Sequence, residues 1–364
     1  MHISTSRNAF LQNIQRCQSI VEKRSTNAIL ANLLLEASDS SLQIVATDLQ
    51  LGLRSKCEAS VHAEGKVTVS AKKLFDIIKE LDADHEVELK TKDAFVEITS
   101  GRSKFRLSTL PAMEYPGLPE NDTDLSLSIE GKELADMIAA TSFAMSMDET
   151  RKYLTGTLFE TTDGLRLVTT DGHRLAMVAR IFDQAPENCQ CIVPRKSVLE
   201  IRKLAEEADG QVTLSLGKRQ VRLEAGDHLL TSKVIDANFP AYEDVIPKEN
   251  PRAAVVDRHR LDQVMRRSMI VANEFTHDVR VEFVADGLKV MAHNNEQEQA
   301  EELVDADYTD SVLSIGFNGR YIRDVLGAMN ASRVVIQFRD ELSPVLLLEE
   351  GNEAAKYVVM PMRI

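Results

Sequence analysis

The chain repeats itself at a fixed interval, and no other feature of its 364 residues limits its fold as much. Three segments share one pattern: an apolar strand, a polar turn, and an alternating strand that ends in Asp or Asn. They run over 27–48, 151–171 and 278–294, and their last residues are Asp48, Asp171 and Asn294. Asp171 follows Asp48 by 123 positions, and Asn294 follows Asp171 by the same 123. Matched hairpins at equal spacing predict three similar domains. Turn-rich stretches at Pro116–Asp122 and Pro247–Pro251 set the expected boundaries, giving domains over 1–122, 123–250 and 251–364.

A helical pattern precedes each hairpin, with apolar residues recurring at three and four positions. These are Phe10, Leu11, Ile14, Ile20 and Val21, then Leu134, Met137 and Ile138, then Leu261, Val264, Met265 and Met269. A second, shorter helix follows each hairpin. The six expected helical windows are 7–24, 71–81, 130–140, 194–207, 257–271 and 318–329. The fold class expected is α+β: per repeat, two helices and about eight short strands in antiparallel sheets.

Charge is unevenly shared among these elements. Lys and Arg number 43 against 57 Asp and Glu, for a net −14, yet the helical windows together carry +6 and the remainder −20. An acidic chain cannot coat nucleic acid with its whole surface, so any phosphate contact must come from a local basic face. Helices that share one face would supply it. Trp is absent and aromatics are 5%, too few for a series of single-strand stacking platforms.

Other classes are disfavoured. No run approaches the 18 apolar residues of a membrane span. Arg7, Asn8, Gln12 and Arg16 interrupt the N-terminal apolar pattern, so no signal peptide and no membrane partner are expected. Cys17, Cys57, Cys189 and Cys191 are too scattered for a disulfide framework, which fits a cytoplasmic location. No cofactor or metal is expected, because Cys189 and Cys191 lack a second Cys or His pair nearby. The chain has no P-loop, no G-x-G-x-x-G and no H-E-x-x-H. Adjacent Asp171, Gly172 and His173 are a poor catalytic set without an activated nucleophile, so no catalytic residue is assigned.

Several ordered motifs point to one family. They are the repeat anchors, Tyr153-Leu154-Thr155-Gly156, Thr170 through Leu175, Phe239-Pro240-Ala241-Tyr242, and Tyr357 through Ile364. Together, over the whole chain, they resemble the bacterial DNA polymerase III beta subunit, the sliding clamp. The resemblance implies a DNA clamp fold of three similar domains, with two chains closing head to tail as a six-domain ring. It implies a non-catalytic processivity factor that encircles double-stranded DNA without sequence specificity. Twelve inner helices spaced roughly 10 Å apart would leave an opening of roughly 28 Å, room for a duplex and water. The implied partners are the catalytic subunit of the replicative polymerase, the clamp loader, and other polymerases and repair proteins that carry clamp-binding peptides.

Three sets of site residues follow. Facing DNA, the resemblance picks out Arg24, Arg195 and Lys196, and helix charge adds Lys72, Lys73, Arg202, Arg266 and Arg320. The resemblance also implies a partner-peptide cleft between the second and third domains. Its matching residues are Leu154, Thr170, Gly172, His173, Arg174, Leu175, Pro240, Val245, Leu342, Pro344, Val358, Met360, Pro361 and Met362. Flexible Met side chains suit a site that takes several partners. At the dimer interface, the resemblance places Leu74, Ile78 and Leu81 against Ile270 and Val271 of the other chain. There Glu296, Glu298, Glu301 and Glu302 would meet Lys72, Lys73 or Lys79. The alternative is a repeat-built protein-interaction scaffold that shares the cleft but does not encircle DNA.

Overall fold

The computed structural model describes residues 1–22, 27–119, 122–182 and 187–363. Six α-helices are present among them: α1 (Arg7–Gln18), α2 (Ala71–Glu80), α3 (Gly131–Thr141), α4 (Arg195–Glu207), α5 (Arg258–Ser268) and α6 (Gly319–Ala328). All six expected windows hold a helix. Polar caps start three of them: Ser70 accepts from Lys73 N, Asp257 from Arg260 N, and Asn318 from Arg320 N.

The first helix is shorter than its window of 7–24. Ser19 Oγ donates to Arg16 O at 2.7 Å, and Ile20 N donates to Cys17 O at 3.1 Å, so the last turn tightens and ends. Ile20 and Val21 remain buried after the helix has stopped. Their apolar periodicity therefore continued where the helical backbone did not.

The chain divides into two compact units. The first comprises Met1–Lys132 with Lys203–Val234, and the second Glu133–Arg202 with Ile235–Ile364. In the first unit an eight-stranded antiparallel sheet runs in the order Leu125–Glu130, Gln211–Leu216, Gln220–Ala225, His228–Lys233, Leu51–Glu58, Ser41–Thr47, Asn32–Ser38, Gly65–Ser70. A five-stranded sheet runs Ser60–Ala63, His2–Ser6, Glu86–Lys92, Phe95–Ser100, Ser103–Ser108. Helices α1 and α2 pack together, burying Phe10, Ile14 and Cys17 from one and Leu74 and Ile78 from the other. Arg7 Nε donates to Ile78 O at 3.0 Å and Nη2 to Lys79 O, satisfying carbonyls left free where α2 ends.

Expected interface residues Leu74, Ile78 and Leu81 are thus part of this core, at 0%, 0% and 8% exposure. An amphipathic helix on a small domain needs its apolar stripe for its own sheet, so Leu74 and Ile78 are fully taken up within the chain, while Leu81, just past the helix, keeps a small exposed area.

The second unit is built on one twelve-stranded sheet. Its order is Cys189–Pro194, Gly156–Thr161, Gly164–Thr170, Arg174–Ile181, Asn352–Val359, Val345–Glu349, Arg333–Phe338, Arg252–Asp257, Gln299–Asp307, Gly287–His293, Asp278–Val284, Leu313–Asn318. Strand Asn352–Val359 joins the two halves: Leu175 pairs with Val358 on one side and Leu346 with Val358 on the other. Phe283, Tyr308 and Phe338 form a ring cluster in its core, with centroids 4.0–5.9 Å apart. Cys189 and Cys191 are buried on the same face of their strand, as residues two apart must be.

The three anchors do one job. Asp48 Oδ1 accepts from Gln50 N and Leu51 N, at 3.0 and 2.7 Å. Asp171 Oδ1 accepts from His173 N and Arg174 N, at 2.9 and 3.1 Å. Asn294 Oδ1 accepts from Glu296 N and Glu298 N, at 3.0 and 3.1 Å. Each is an Asx turn that steers the chain from the hairpin into the next strand. The contact to the second residue on is common to all three, and the other bond goes to the third residue on in the first two and to the fourth in the last.

Candidate functional site

The Asp171 turn shapes a cavity of about 220 Å³ in the second unit. Thr170 Oγ1 donates to Arg174 O at 2.7 Å and accepts from Gly172 N at 3.1 Å. Gly172 sits at φ +90, where side chains are strained, and a Cβ there would lie 3.1 Å from Arg151 Nη1. The bend turns Arg174 and Leu175 toward the cavity.

Arg174 is fixed from several sides. Its Nε meets Asp171 Oδ2 at 3.1 Å, Nη1 meets Asp324 Oδ2 at 2.5 Å, and Nη2 donates to Phe143 O at 3.0 Å. Its guanidinium also lies 4.6 Å from the ring centre of Tyr321. The cavity wall is apolar: Leu154, Leu175 and Val358 are buried, and Val245 stands at the lip, 39% exposed. Met360 is held at the mouth because its N donates to His173 O at 2.9 Å.

A polar network supports one wall. Tyr242 donates to Glu160 Oε2 at 2.6 Å and accepts from Arg166 Nη1 at 2.7 Å. Burial, reinforced by the Glu160 carboxylate, pushes the Tyr242 hydroxyl up to about 12. It therefore stays protonated and holds the 3₁₀ turn Tyr242–Asp244 in place.

Nine of the fourteen expected cleft residues line this cavity: Leu154, Thr170, Gly172, Arg174, Leu175, Pro240, Val245, Val358 and Met360. Sequence reasoning missed Tyr153, Ala241 and Tyr242 as wall residues, although all three stand in the motifs that carried the resemblance. Leu342 and Met362 line a different cavity, of about 460 Å³, with Arg280, Ser314, Gly316, Glu341 and Arg363. Met362 N donates to Gly316 O at 2.8 Å, so the Met360–Met362 segment runs from one cavity to the other. His173, Pro344 and Pro361 line neither. His173 is exposed and stacks on Tyr321 with centroids 6.2 Å apart, and Pro344 O accepts from Asn250 Nδ2 at 3.4 Å.

The expected DNA-facing residues divide by exposure. Lys72, Lys73, Lys196, Arg266 and Arg320 are exposed on their helices, and Arg202 is half-buried. Arg195 is half-buried too, and its Nη2 donates to Met145 O at 2.7 Å, so it braces a loop as well as carrying charge. Arg24 lies outside the described residues.

Of the other expected interface residues, Ile270 is 79% exposed and Val271 half-buried. Three of the four acids already have partners within the chain: Glu302 with Arg267, Glu301 with Lys289 at 3.0 Å, and Glu298, whose Oε2 accepts from Asn294 Nδ2 at 2.6 Å. Among the described strand segments with a neighbour on one side only, two combine exposed charge with an exposed large apolar residue. One is Ser103–Ser108, the last strand of the five-stranded sheet; the other is Gln299–Asp305, which pairs with Gly287–His293 alone. The first exposes Lys104, Phe105 and Arg106, and the second exposes Glu301 and, at 66%, Leu303. Among the described residues no group of three or more His, Cys, Asp or Glu could hold a metal ion, and no helix is long and apolar enough to cross a membrane.

Comparison with known proteins agrees with this geometry. Residues 1–119, 128–241 and 243–363 match the N-terminal, central and C-terminal domain models of the DNA polymerase III beta subunit, in that order. The beta sliding clamp of Pseudomonas putida is 40% identical over 367 residues, with all of both chains covered. That of Escherichia coli K12 is 35% identical over 366 residues, again over all of both chains. The crystal structure of the Pseudomonas aeruginosa DNA polymerase III subunit beta superposes with a TM-score of 0.96 at 39% identity and full coverage of both chains. A Caulobacter crescentus beta subunit gives 0.95 at 34%, also at full coverage. Three repeats with three copies of one Asx-anchored hairpin, matched end to end by these relatives, mean that the chain belongs to the DNA polymerase III beta subunit family, the beta sliding clamps, which are non-catalytic processivity factors of bacterial DNA replication.

Proposed function

We propose that the cavity beside Arg174 is where this clamp holds its polymerase, through a short peptide with apolar side chains. One observation carries this reading: residues from four separate stretches, 153–154, 170–175, 240–245 and 358–360, converge on one small apolar pocket with a flexible Met at its mouth. The second cavity, with Leu342 and Met362, extends the same site along the terminal segment. The clamp loader, other polymerases and repair proteins would compete for it. Asp244 leaves one rim acidic, which disfavours acidic residues at that end of the peptide.

The exposed bases on the helices, Lys72, Lys73, Lys196, Arg266 and Arg320, would face duplex phosphates; Arg24, Arg195 and Arg202 complete the set read from the sequence. Such contacts attract without reading bases, as sliding requires. A dimeric ring would close where the edge Ser103–Ser108 of one chain meets the edge Gln299–Asp305 of the other. The edge with Lys104 and Arg106 is basic and the edge with Glu301 and Asp305 acidic, and each exposes an apolar residue that pairing would cover. Ile270 and Val271 would pack beside it. A replication factor of a bacterium works in the cytoplasm, where four buried cysteines without a disulfide are at home.

Two measurements test this. Deleting residues 360–364 should weaken binding of the polymerase peptide at least 100-fold and leave the dimer intact; unchanged peptide affinity would remove the cleft assignment. Loaded on circular duplex DNA, the protein should remain bound and should run off once the circle is linearised. Equal retention on both would favour the scaffold that does not encircle DNA.

A further inference from the structure

The first unit contains a second cavity with an apolar floor. It measures about 550 Å³, within the range of ligand-binding pockets. Leu34, Val45 and Tyr115 form its buried floor, and Met113 stands at its lip, 99% exposed. Val45 corresponds to Val168 by the 123-residue repeat, and Val168 lies in the apolar cluster that backs the cleft. Tyr115 comes just after the 3₁₀ turn Ala112–Glu114, whereas Tyr242 opens the turn Tyr242–Asp244, and each is buried with its hydroxyl engaged. Tyr115 donates to Asn32 O and Val45 O, both at 3.2 Å.

The rim differs in charge. Arg54 and Lys66 line the cavity and are exposed. Lys66 pairs with Glu36 at 2.6 Å, whereas Arg54 makes no ion pair among the described residues. The rim is therefore net positive on a chain of net charge −14. An unpaired cation beside an apolar floor suits an anionic group attached to an apolar one.

We propose that this cavity is a second peptide-docking site, for a partner protein that presents a short extended segment with a large apolar side chain next to an acidic one. The apolar residue sits over Val45 and Tyr115, and the acidic residue meets Arg54. The extended-peptide chemistry rests on the reading of the cleft in the second unit; the cavity and its charge do not.

The test uses the full-length dimer labelled with ¹³C at its methionine methyls, titrated with an acetylated, amidated hexapeptide carrying leucine, phenylalanine and a neighbouring aspartate. Met113 reports on this cavity and Met360 on the cleft. The Met113 signal should shift saturably, with a midpoint of its own. The surface double variant Arg54→Glu, Lys66→Glu should raise that midpoint at least tenfold without moving that of Met360. A peptide with lysine in place of aspartate should lose the Met113 response. A Met113 signal that stays still while Met360 saturates overturns the proposal, as does a response equal in the double variant or with the lysine peptide. Saturation at Met113 with none at Met360 supports this site and removes the cleft reading; silence at both removes the two together.

Discussion

Arg174 and Asp324 stand 150 residues apart in sequence and form one ion pair at 2.5 Å, tying the wall of the proposed peptide cleft to helix α6. Arg174 is 11% exposed and Asp324 47%, so the two ends of the pair should respond differently to substitution. Arg174→Ala leaves Asp171 buried without its cation and should destabilise the second unit by on the order of 3 kcal/mol. Asp324→Asn should cost less than about 1 kcal/mol, because its charge is half in water and Arg174 keeps Asp171. Urea titration followed by fluorescence of the six tyrosines would separate the two; equal losses would contradict this division of roles.

The strand edges make a prediction about assembly. Phe105→Asp or Leu303→Asp should raise the dimer dissociation constant at least 30-fold, equivalent to about 2 kcal/mol, with the fold unchanged. Leu74→Ala should instead cost about 2–5 kcal/mol of folding stability, because it empties core space. Sedimentation velocity at micromolar concentration, read beside circular dichroism, distinguishes a lost interface from a lost fold.

His228 predicts how the first unit responds to acid. Its ring shares a 2.7 Å hydrogen bond with buried Ser55, whose hydroxyl donates to Asn13 at 2.5 Å. Burial first, and the Arg16 charge second, hold its pKa below the ordinary histidine value, while Asp227 and Glu207 oppose this more weakly. The unfolded chain therefore takes up the proton first as pH falls below about 6.5, and stability is lost through the lower folded value. His228→Gln should flatten the decline in melting temperature between neutral and mildly acidic pH. An unchanged slope would assign the decline to other groups.

Salt dependence tests the helix bases. If Lys72, Lys73 and Arg320 meet phosphates, each neutralising substitution should reduce the slope of log affinity against log salt by about 0.9. Equilibrium binding to short linear duplex over a range of salt would measure this. A slope that does not change would place these side chains away from DNA.

Much of this was legible in the sequence because the local rules agree with the tertiary ones. The 3.6 and 2 periodicities located all six helices and the three hairpins, and Asp48, Asp171 and Asn294 carried their turn chemistry openly. Helix α1 was read too long because Ile20 and Val21 stay in the core beyond its end, and periodicity reports burial before it reports backbone. Leu74 and Ile78 enter the expected interface through the resemblance, and the sequence offers no check on it, because an apolar helical stripe looks the same whether it covers its own sheet or another chain. The edge with Phe105 gave no such signal: Lys104-Phe105-Arg106-Leu107 alternates like any half-buried strand, and only the sheet order shows that one side is unpaired. The role of Tyr242 is not legible in sequence because its partners, Glu160 and Arg166, lie more than 75 positions away.

Strand Asn352–Val359 lies between Arg174–Ile181 and Val345–Glu349, so the broad sheet of the second unit stays in two pieces until that strand arrives. Synthesis delivers it some 170 residues after its neighbour Arg174–Ile181, and domains form as the ribosome releases them. Val358 and Met360 come with the same stretch. A nascent or truncated chain thus has no finished pocket to offer, and if the pocket holds the polymerase as proposed, a subunit still being translated cannot capture it.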